Sequence, residues 1–189
     1  MNAIAPQAGL SQRLNHVECV YRPGERDVAY ALFELLGFKT FDYVDGEVYV
    51  AAVDPPTFRD EDNDNYIAGR AVRPEQWAFD QALAQALQQE PLATAFAQQQ
   101  AMLAATPQWG MHFGLRLHSP ADWEAAVARI RDVDNHPSPL RGRVRLLKAM
   151  RPGDPDQPFN LYQAFVCTDV IASGSLALGQ RIELTIFIR

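Results

Sequence analysis

The sequence predicts an α+β protein made of two similar βαβββ modules within one domain. A strand-like alternation of polar and apolar residues occurs near residue 16 and again near residue 112. Each is followed by a helical pattern and by further strand-like runs, which indicates an internal repeat with little sequence identity. The length of 189 residues suits a single domain. We therefore expect one domain over residues 1–189, with a first module over 12–73, a helical insertion over 74–107 and a second module over 108–189.

The first module begins with the run LNHVECVY, in which His16 and Glu18 share one strand face and Cys19 lies on the other. The next run, DVAYALFELLGF, has apolar residues at helical spacing and ends with Gly37, a residue type that favours a helix C-terminus. Asp45-Gly46 then predicts a hairpin between two aromatic or β-branched strands. A short strand near 66–72 would complete the module.

The insertion over 74–107 is rich in Ala, Gln and Leu, which are good helix formers. Pro91 should divide it into two helices or kink it sharply. The insertion has no metal, phosphate or nucleophile pattern.

The second module repeats the first. In WGMHFGLRLHS, Met111, Phe113, Leu115 and Leu117 share one face, and His112, Gly114, Arg116 and His118 share the other. Ser119 is the expected N-cap of the following helix, with Pro120 in the first turn and Asp122 as the capping acid. The runs GRVRLLKAM, FNLYQAFVCTDV and GQRIELTIFIR then predict three strands.

Composition and charge argue against several classes of partner and of location in the cell. The 17 basic and 23 acidic residues give a net charge of −6, which argues against nucleic-acid and anionic-membrane partners. No apolar run is long enough to span a bilayer, and the N-terminus does not resemble a signal peptide. Two cysteines cannot form a disulfide framework, so we expect a cytoplasmic protein. The acidic run over 60–65 lacks the glycine and glutamate that a calcium loop requires.

The two modules each place a His on their first strand, in LNHVECV and in MHFGLRLHSPADWEAAVARI, and GQRIELTIFIR places a Glu on the last strand. This pattern resembles the vicinal oxygen chelate superfamily, which includes glyoxalase I, extradiol dioxygenases and bleomycin resistance proteins. The resemblance covers roughly residues 12–53 and 108–189. It implies that the strands curl into one mixed-sheet cup, and that His16, His112 and Glu183 are ligands of a metal ion on its floor.

The residue types fit this implication. Glu183 stands between apolar neighbours in RIELTIFIR, where a carboxylate is costly unless it is paired, protonated or bound to metal. Two imidazoles and one carboxylate suit Fe(II), which we favour, and also Mn(II), Zn(II) or Ni(II). Glyoxalases and epimerases have a fourth ligand, for which Glu47 is a weak candidate. Three ligands therefore favour dioxygenase-like chemistry over isomerase or lyase chemistry.

Three further residues are candidates for substrate binding: Arg116, Glu18 and Gln163. Arg116 and Glu18 could hold an anionic substrate or pair with each other. The pattern leaves open whether Gln163 or its neighbour Tyr162 faces the cup. The cysteines, Cys19 and Cys167, are expected to be packing residues.

Two alternatives remain at this point. The first is a metal-free protein of the same fold that binds a small molecule in an aromatic-rich cup, like the bleomycin resistance proteins. The aromatic residues that could line it are Phe41, Tyr43, Tyr49, Phe113, Tyr162, Phe165 and Phe187. The second is an interaction protein, possible as a homodimer, in which the helical insertion packs on a partner chain.

Overall fold

The computed structural model describes residues 16–43, 48–52 and 66–188. Glu47, the acidic run over 60–65 and the N-terminal end of the first module lie outside these ranges. The described chain is an α+β structure with two mixed sheets and four α-helices, which confirms the predicted class.

The elements of the first module are β1 His16–Tyr21, α1 Arg26–Leu36, β2 Lys39–Tyr43, β3 Val48–Ala52 and β4 Tyr66–Ala71. Together with the short strand β8 Ile171–Ala172, its strands form the first sheet in the order β2-β3-β4-β1-β8, and β1 runs parallel to β4. Helix α1 ends at Gly37, which adopts a left-handed φ of 93° as its position predicts.

The insertion forms two helices, α2 Pro74–Ala86 and α3 Leu92–Ala105, with Pro91 immediately before the second. The predicted interruption at Pro91 is therefore confirmed. Helix α2 is attached through Trp77, which packs on a small cluster that includes Val72 and Leu176. Helix α3 packs against the second sheet.

The elements of the second module are β5 His112–Arg116, α4 Pro120–Asp132, β6 Val144–Met150, β7 Leu161–Thr168, β8 and β9 Gln180–Phe187. The second sheet has the order β5-β9-β7-β6, and β5 runs parallel to β9. Both modules therefore place their first strand beside their last strand and parallel to it, as an internal repeat requires. Ser119 caps α4 by accepting a hydrogen bond from the Asp122 amide at 3.2 Å.

Two details differ from the sequence prediction. The short strand β8 was not predicted, and it pairs with β1 of the other module, so the first sheet contains residues from both modules. Met111 was expected on the apolar face of β5, but it is 91% exposed, because the strand begins one residue later at His112.

One hydrophobic core joins the two modules. Helices α1 and α4 pack against each other and supply its centre, including Phe33 and Trp123, which are fully buried. Arg143 of the second module donates to Asp169 at 2.9 Å and to Glu25 of the first module at 2.8 Å. The apolar faces of both sheets thus point toward shared helices, and the opposite faces carry the polar residues.

Within residues 16–43, 48–52 and 66–188, no helix combines the length and the apolar character that crossing a bilayer requires.

Candidate functional site

The candidate site lies on the face of the second sheet that points away from α4. Strand β9 alternates strictly: Ile182, Leu184 and Ile186 are buried in the core, and Glu183 projects from the opposite face. The register places Glu183 opposite Phe165 on β7 and Gly114 on β5. Glu183 is therefore at the centre of the sheet, and its side chain is only 16% exposed.

His112 and Glu183 are brought together, as the sequence analysis expected. His112 Nε2 lies 3.2 Å from Glu183 Oε2. The other ring nitrogen, Nδ1, lies 2.8 Å from the carbonyl oxygen of Gly110. Because a carbonyl oxygen can only accept, Nδ1 carries a proton, and in the neutral ring Nε2 then presents its lone pair toward the carboxylate.

Two electron-rich atoms at this distance require a cation between or beside them. That cation is either a proton on Nε2, which makes an imidazolium–carboxylate pair, or a metal ion that both atoms ligate.

Gln163 holds the second oxygen of the carboxylate. Its Nε2 donates to Glu183 Oε1 at 2.8 Å. The choice between Gln163 and Tyr162 that the sequence left open is thereby resolved, since the Tyr162 ring packs against Trp123 on the core face with ring centroids 5.2 Å apart. With both oxygens contacted, Glu183 is fixed in one orientation.

Small and aromatic neighbours shape the space around this pair. The Phe165 ring is fully buried and meets the His112 ring edge-on, with centroids 5.4 Å apart. On the other side, Gly114 has no side chain, and a Cβ built there would lie 3.7 Å from Glu183 Oε2. The glycine therefore leaves open the approach to the carboxylate from β5.

His16 occupies a different environment on the first sheet. Its ring stacks on Tyr66 with centroids 5.3 Å apart, and its Nε2 is 3.7 Å from Glu18 Oε1. Glu18 also accepts from Arg70 at 2.8 Å. In the part of the chain that the structure describes, no group of three or more His, Cys, Asp or Glu side chains is placed to hold a metal ion, so His16 does not join the His112–Glu183 pair.

Arg116 lies on the site face but apart from Glu18. Its guanidinium stands over the exposed Phe187 ring, 5.9 Å from the centroid, while Glu18 pairs with Arg70. The alternative that Arg116 and Glu18 pair with each other is therefore wrong. Arg116 is left at the solvent-exposed end of the face, where it could contact a ligand.

The cysteines take no part in the pair. Cys19 is buried in the core, and burial, with a smaller contribution from the nearby Glu18, raises the pKa of its thiol to about 12. Cys167 is half-buried on β7, directly opposite Arg181 on β9. Packing roles fit both residues better than nucleophilic roles.

Two residues next to Glu183 were not considered as site residues in the sequence. Arg181 and Thr185 stand two positions before and two positions after it on the same face of β9. The alternation that placed Glu183 also placed them, so the signal was present. What the alternation could not show is that Arg181 Nε and Thr185 Oγ1 are buried without a hydrogen-bond partner among the described residues, which is unusual for polar atoms.

No protein-family model matches the chain, and no curated protein matches it significantly.

Proposed function

We propose that the chain is a metal-dependent enzyme of the vicinal oxygen chelate type, which binds a small oxygenated substrate at a divalent ion held by His112 and Glu183. The observation that carries the proposal is the arrangement of His112. Its Nδ1 donates to a backbone carbonyl while its Nε2 faces a carboxylate oxygen at 3.2 Å. Histidines that ligate metals typically have their second nitrogen fixed in this way.

The donor spacing fits an ion. Nitrogen and oxygen ligands lie about 2.0–2.2 Å from a metal such as zinc. Two ligand atoms whose bonds to the ion meet at roughly a right angle are therefore about 3.0 Å apart. The observed 3.2 Å between His112 Nε2 and Glu183 Oε2 agrees with that separation. One imidazole and one carboxylate also suit Fe(II), Mn(II), Zn(II) or Ni(II).

The protein's own residues prepare the site. The Gly110 carbonyl fixes the tautomer of His112, and Gln163 orients the carboxylate of Glu183. Phe165 supplies an apolar wall that excludes water. A divalent ion bound here would act as a Lewis acid for a substrate with two neighbouring oxygens, and Fe(II) would extend this to dioxygenase-like chemistry.

His16 is the proposed third ligand, and this part of the proposal depends on the resemblance and on a cup formed by both sheets. His16 is the first residue of β1, as His112 is of β5, so the repeat gives the two residues equivalent positions. To reach the ion, His16 would have to leave its stacking contact with Tyr66. Its contribution to affinity should therefore be smaller than that of His112.

The direct test is metal binding by the whole chain, measured by titration calorimetry with Mn²⁺ and with Co²⁺. We expect one site per chain, and His112→Ala should weaken binding by on the order of 100-fold or more, since a ligand is lost. His136→Ala is the matched control, because His136 is exposed and pairs with Asp132 on α4. A wild-type chain that binds neither ion would refute the metal proposal.

Affinity should also fall with acid, because a proton competes with the metal for Nε2 of His112. Titration of the chain with Mn²⁺ at pH 7.5 and at pH 5 gives the two dissociation constants to compare. Binding of equal strength at both pH values would exclude histidine as a ligand.

The second candidate is a metal-free protein that binds a small molecule on the same face. The observation that favours it is that the structure brings two of the expected ligands together, and not three. His112 and Glu183 would then form an imidazolium–carboxylate pair. A chelator-dependent decrease in melting temperature supports the enzyme, and an unchanged melting temperature supports the binding protein.

A further inference from the structure

A buried guanidinium without a balancing carboxylate lies beside the proposed site. Arg181 is 7% exposed, its Nη2 donates to Gln100 Oε1 at 2.9 Å, and its Nε has no partner in the described part of the chain. Among the described residues, no carboxylate forms an ion pair with it. Burying a charge is costly unless an opposite charge compensates it. Arg181 is therefore in an environment that an anion would stabilise.

Its position directs that anion toward the proposed site. Arg181 precedes Glu183 by two residues on the same face of β9, and the register aligns it with His112 on β5. On the far side of Glu183, the hydroxyl of Thr185 is also buried without a partner in the described chain. Buried polar atoms normally have hydrogen-bond partners, so Arg181 Nε and Thr185 Oγ1 are both available to a bound molecule.

The rest of the face is positively charged. A register shift between Leu146 and Lys148 brings Lys148 opposite Phe165, while Arg145 is opposite Cys167, so both cations belong to the site face. With Arg116 and Arg181 they make four cations, against the two carboxylates of Glu183 and Asp156, and Asp156 pairs with Lys148 at 3.0 Å. A chain with a net charge of −6 thus presents a basic surface at this one site.

Helix α3 of the insertion covers Arg181. Gln100 accepts the hydrogen bond from its Nη2, and Leu103 is buried nearby. The approach is close at Gly110, where an added Cβ would lie 2.8 Å from Leu103 Cδ2 and 3.1 Å from Arg181 Cδ. The neutral amide of Gln100 accepts from Arg181 where a carboxylate oxygen would bind more strongly.

We propose that the substrate of this site is a carboxylate-bearing small molecule, and that Arg181 binds its carboxylate in place of Gln100. This inference rests on the proposed site, whose metal would hold the neighbouring oxygens of the same molecule. Arg181 is then a substrate-binding residue, and α3 is the element that admits the ligand. The insertion thereby has a role in the function of the second module.

The test uses Gln100→Glu, which gives Arg181 a carboxylate within the protein. The probes are oxalate and its neutral analogue oxamide, titrated into the whole chain in metal-free buffer. We expect the wild type to bind oxalate more tightly than oxamide. Gln100→Glu should raise the melting temperature and weaken oxalate binding by about tenfold or more, since a charge-assisted hydrogen bond is already satisfied.

Gln100→Ala and Arg181→Met complete the test. The first should strengthen oxalate binding several-fold, and the second should abolish the preference for oxalate over oxamide. Equal binding of the two probes to the wild type, or unchanged oxalate binding in Gln100→Glu, would overturn the inference. If Arg181→Met does not fold, the oxalate affinity of Gln100→Glu still tests the inference.

The failure of this inference differs from the failure of the proposed function. His112→Ala should remove metal binding but keep the metal-free binding of oxalate. Gln100→Glu should weaken oxalate binding by about tenfold or more but keep the binding of Mn²⁺. Unchanged Mn²⁺ binding in His112→Ala would contradict the metal site alone. Unchanged oxalate binding in Gln100→Glu would contradict the role of Arg181 alone.

Discussion

The two modules contain the same pair of residue types, a His and a Glu, but on different strands. In the first module, both are on the first strand, where Glu18 is opposite Ala68 of the last strand. In the second module, the first strand has Gly114 at the corresponding position, and the carboxylate comes from Glu183 opposite it. The small residue and the glutamate have exchanged strands.

This exchange changes the environment of the carboxylate. The Glu18 side chain is 51% exposed and pairs with Arg70, whereas Glu183 is 16% exposed and is held by His112 and Gln163. An exposed ion pair contributes little because water screens it, but a desolvated carboxylate next to an imidazole is prepared to bind a cation. The two modules therefore share residue types and topology, but among the described residues only the second module shields its carboxylate from solvent beside a histidine.

The largest expected difference concerns the two histidines. His112→Ala should weaken Mn²⁺ binding by on the order of 100-fold, and His16→Ala by about tenfold, because His16 must leave Tyr66 to reach the ion. Titration calorimetry gives the Mn²⁺ dissociation constant of each variant, and their ratio compares the two histidines. A larger loss in His16→Ala would reverse the assignment of the site to the second module, and no loss there would remove His16 from the ligand set.

The next effect concerns the space that Gly114 leaves open. Gly114→Val should weaken binding of Mn²⁺ and of oxalate about tenfold by filling the approach to Glu183 Oε2. Its melting temperature should not fall, since β-branched residues suit strands. Gly174→Val is the control, because a Cβ at Gly174 meets nothing within 4 Å. Undiminished binding in Gly114→Val would show that ligands do not approach from β5.

The smallest effect concerns the two thiols. Burial raises the pKa of Cys19 from 9.0 to about 12, so at pH 8 a thiol reagent should modify Cys167 and spare Cys19 until the chain unfolds. Rapid modification of both thiols in the native state would contradict the burial of Cys19.

The same shift predicts a loss of stability in alkali. The pKa of Cys19 is higher in the folded chain than in the unfolded chain, so its contribution is complete below about pH 9 and is lost as the pH rises toward 12. Cys19→Ala should reduce that loss, by up to about 1.4 kcal/mol for each pH unit, and Cys167→Ala serves as the control. Urea midpoints at pH 8 and pH 10.5 provide the comparison.

Much of the fold could be predicted because strand alternation and helix boundaries are local properties. The face of Glu183, the cap at Ser119 and the interruption at Pro91 all follow from neighbouring residues. The need for a partner at Glu183 was also predictable, since a carboxylate among Ile182 and Leu184 must be compensated.

The remaining features depend on tertiary contacts that periodicity does not encode. The stacking of His16 on Tyr66 and the pairing of β8 with β1 each join distant segments. The alternation places Arg181 beside Glu183, but only the docking of α3 shows that Arg181 is buried under Gln100. The register shift before Lys148 likewise cannot be read from a two-residue period.

The measurement that tests the central claim most directly is the Mn²⁺ dissociation constant of Glu183→Gln beside that of Glu18→Gln. The two substitutions are chemically identical and occupy matched places in the two modules. We predict an increase of on the order of 100-fold for Glu183→Gln and a change of less than about twofold for Glu18→Gln. Equal changes, or a larger change for Glu18→Gln, would contradict the proposal that the second module holds a metal ion.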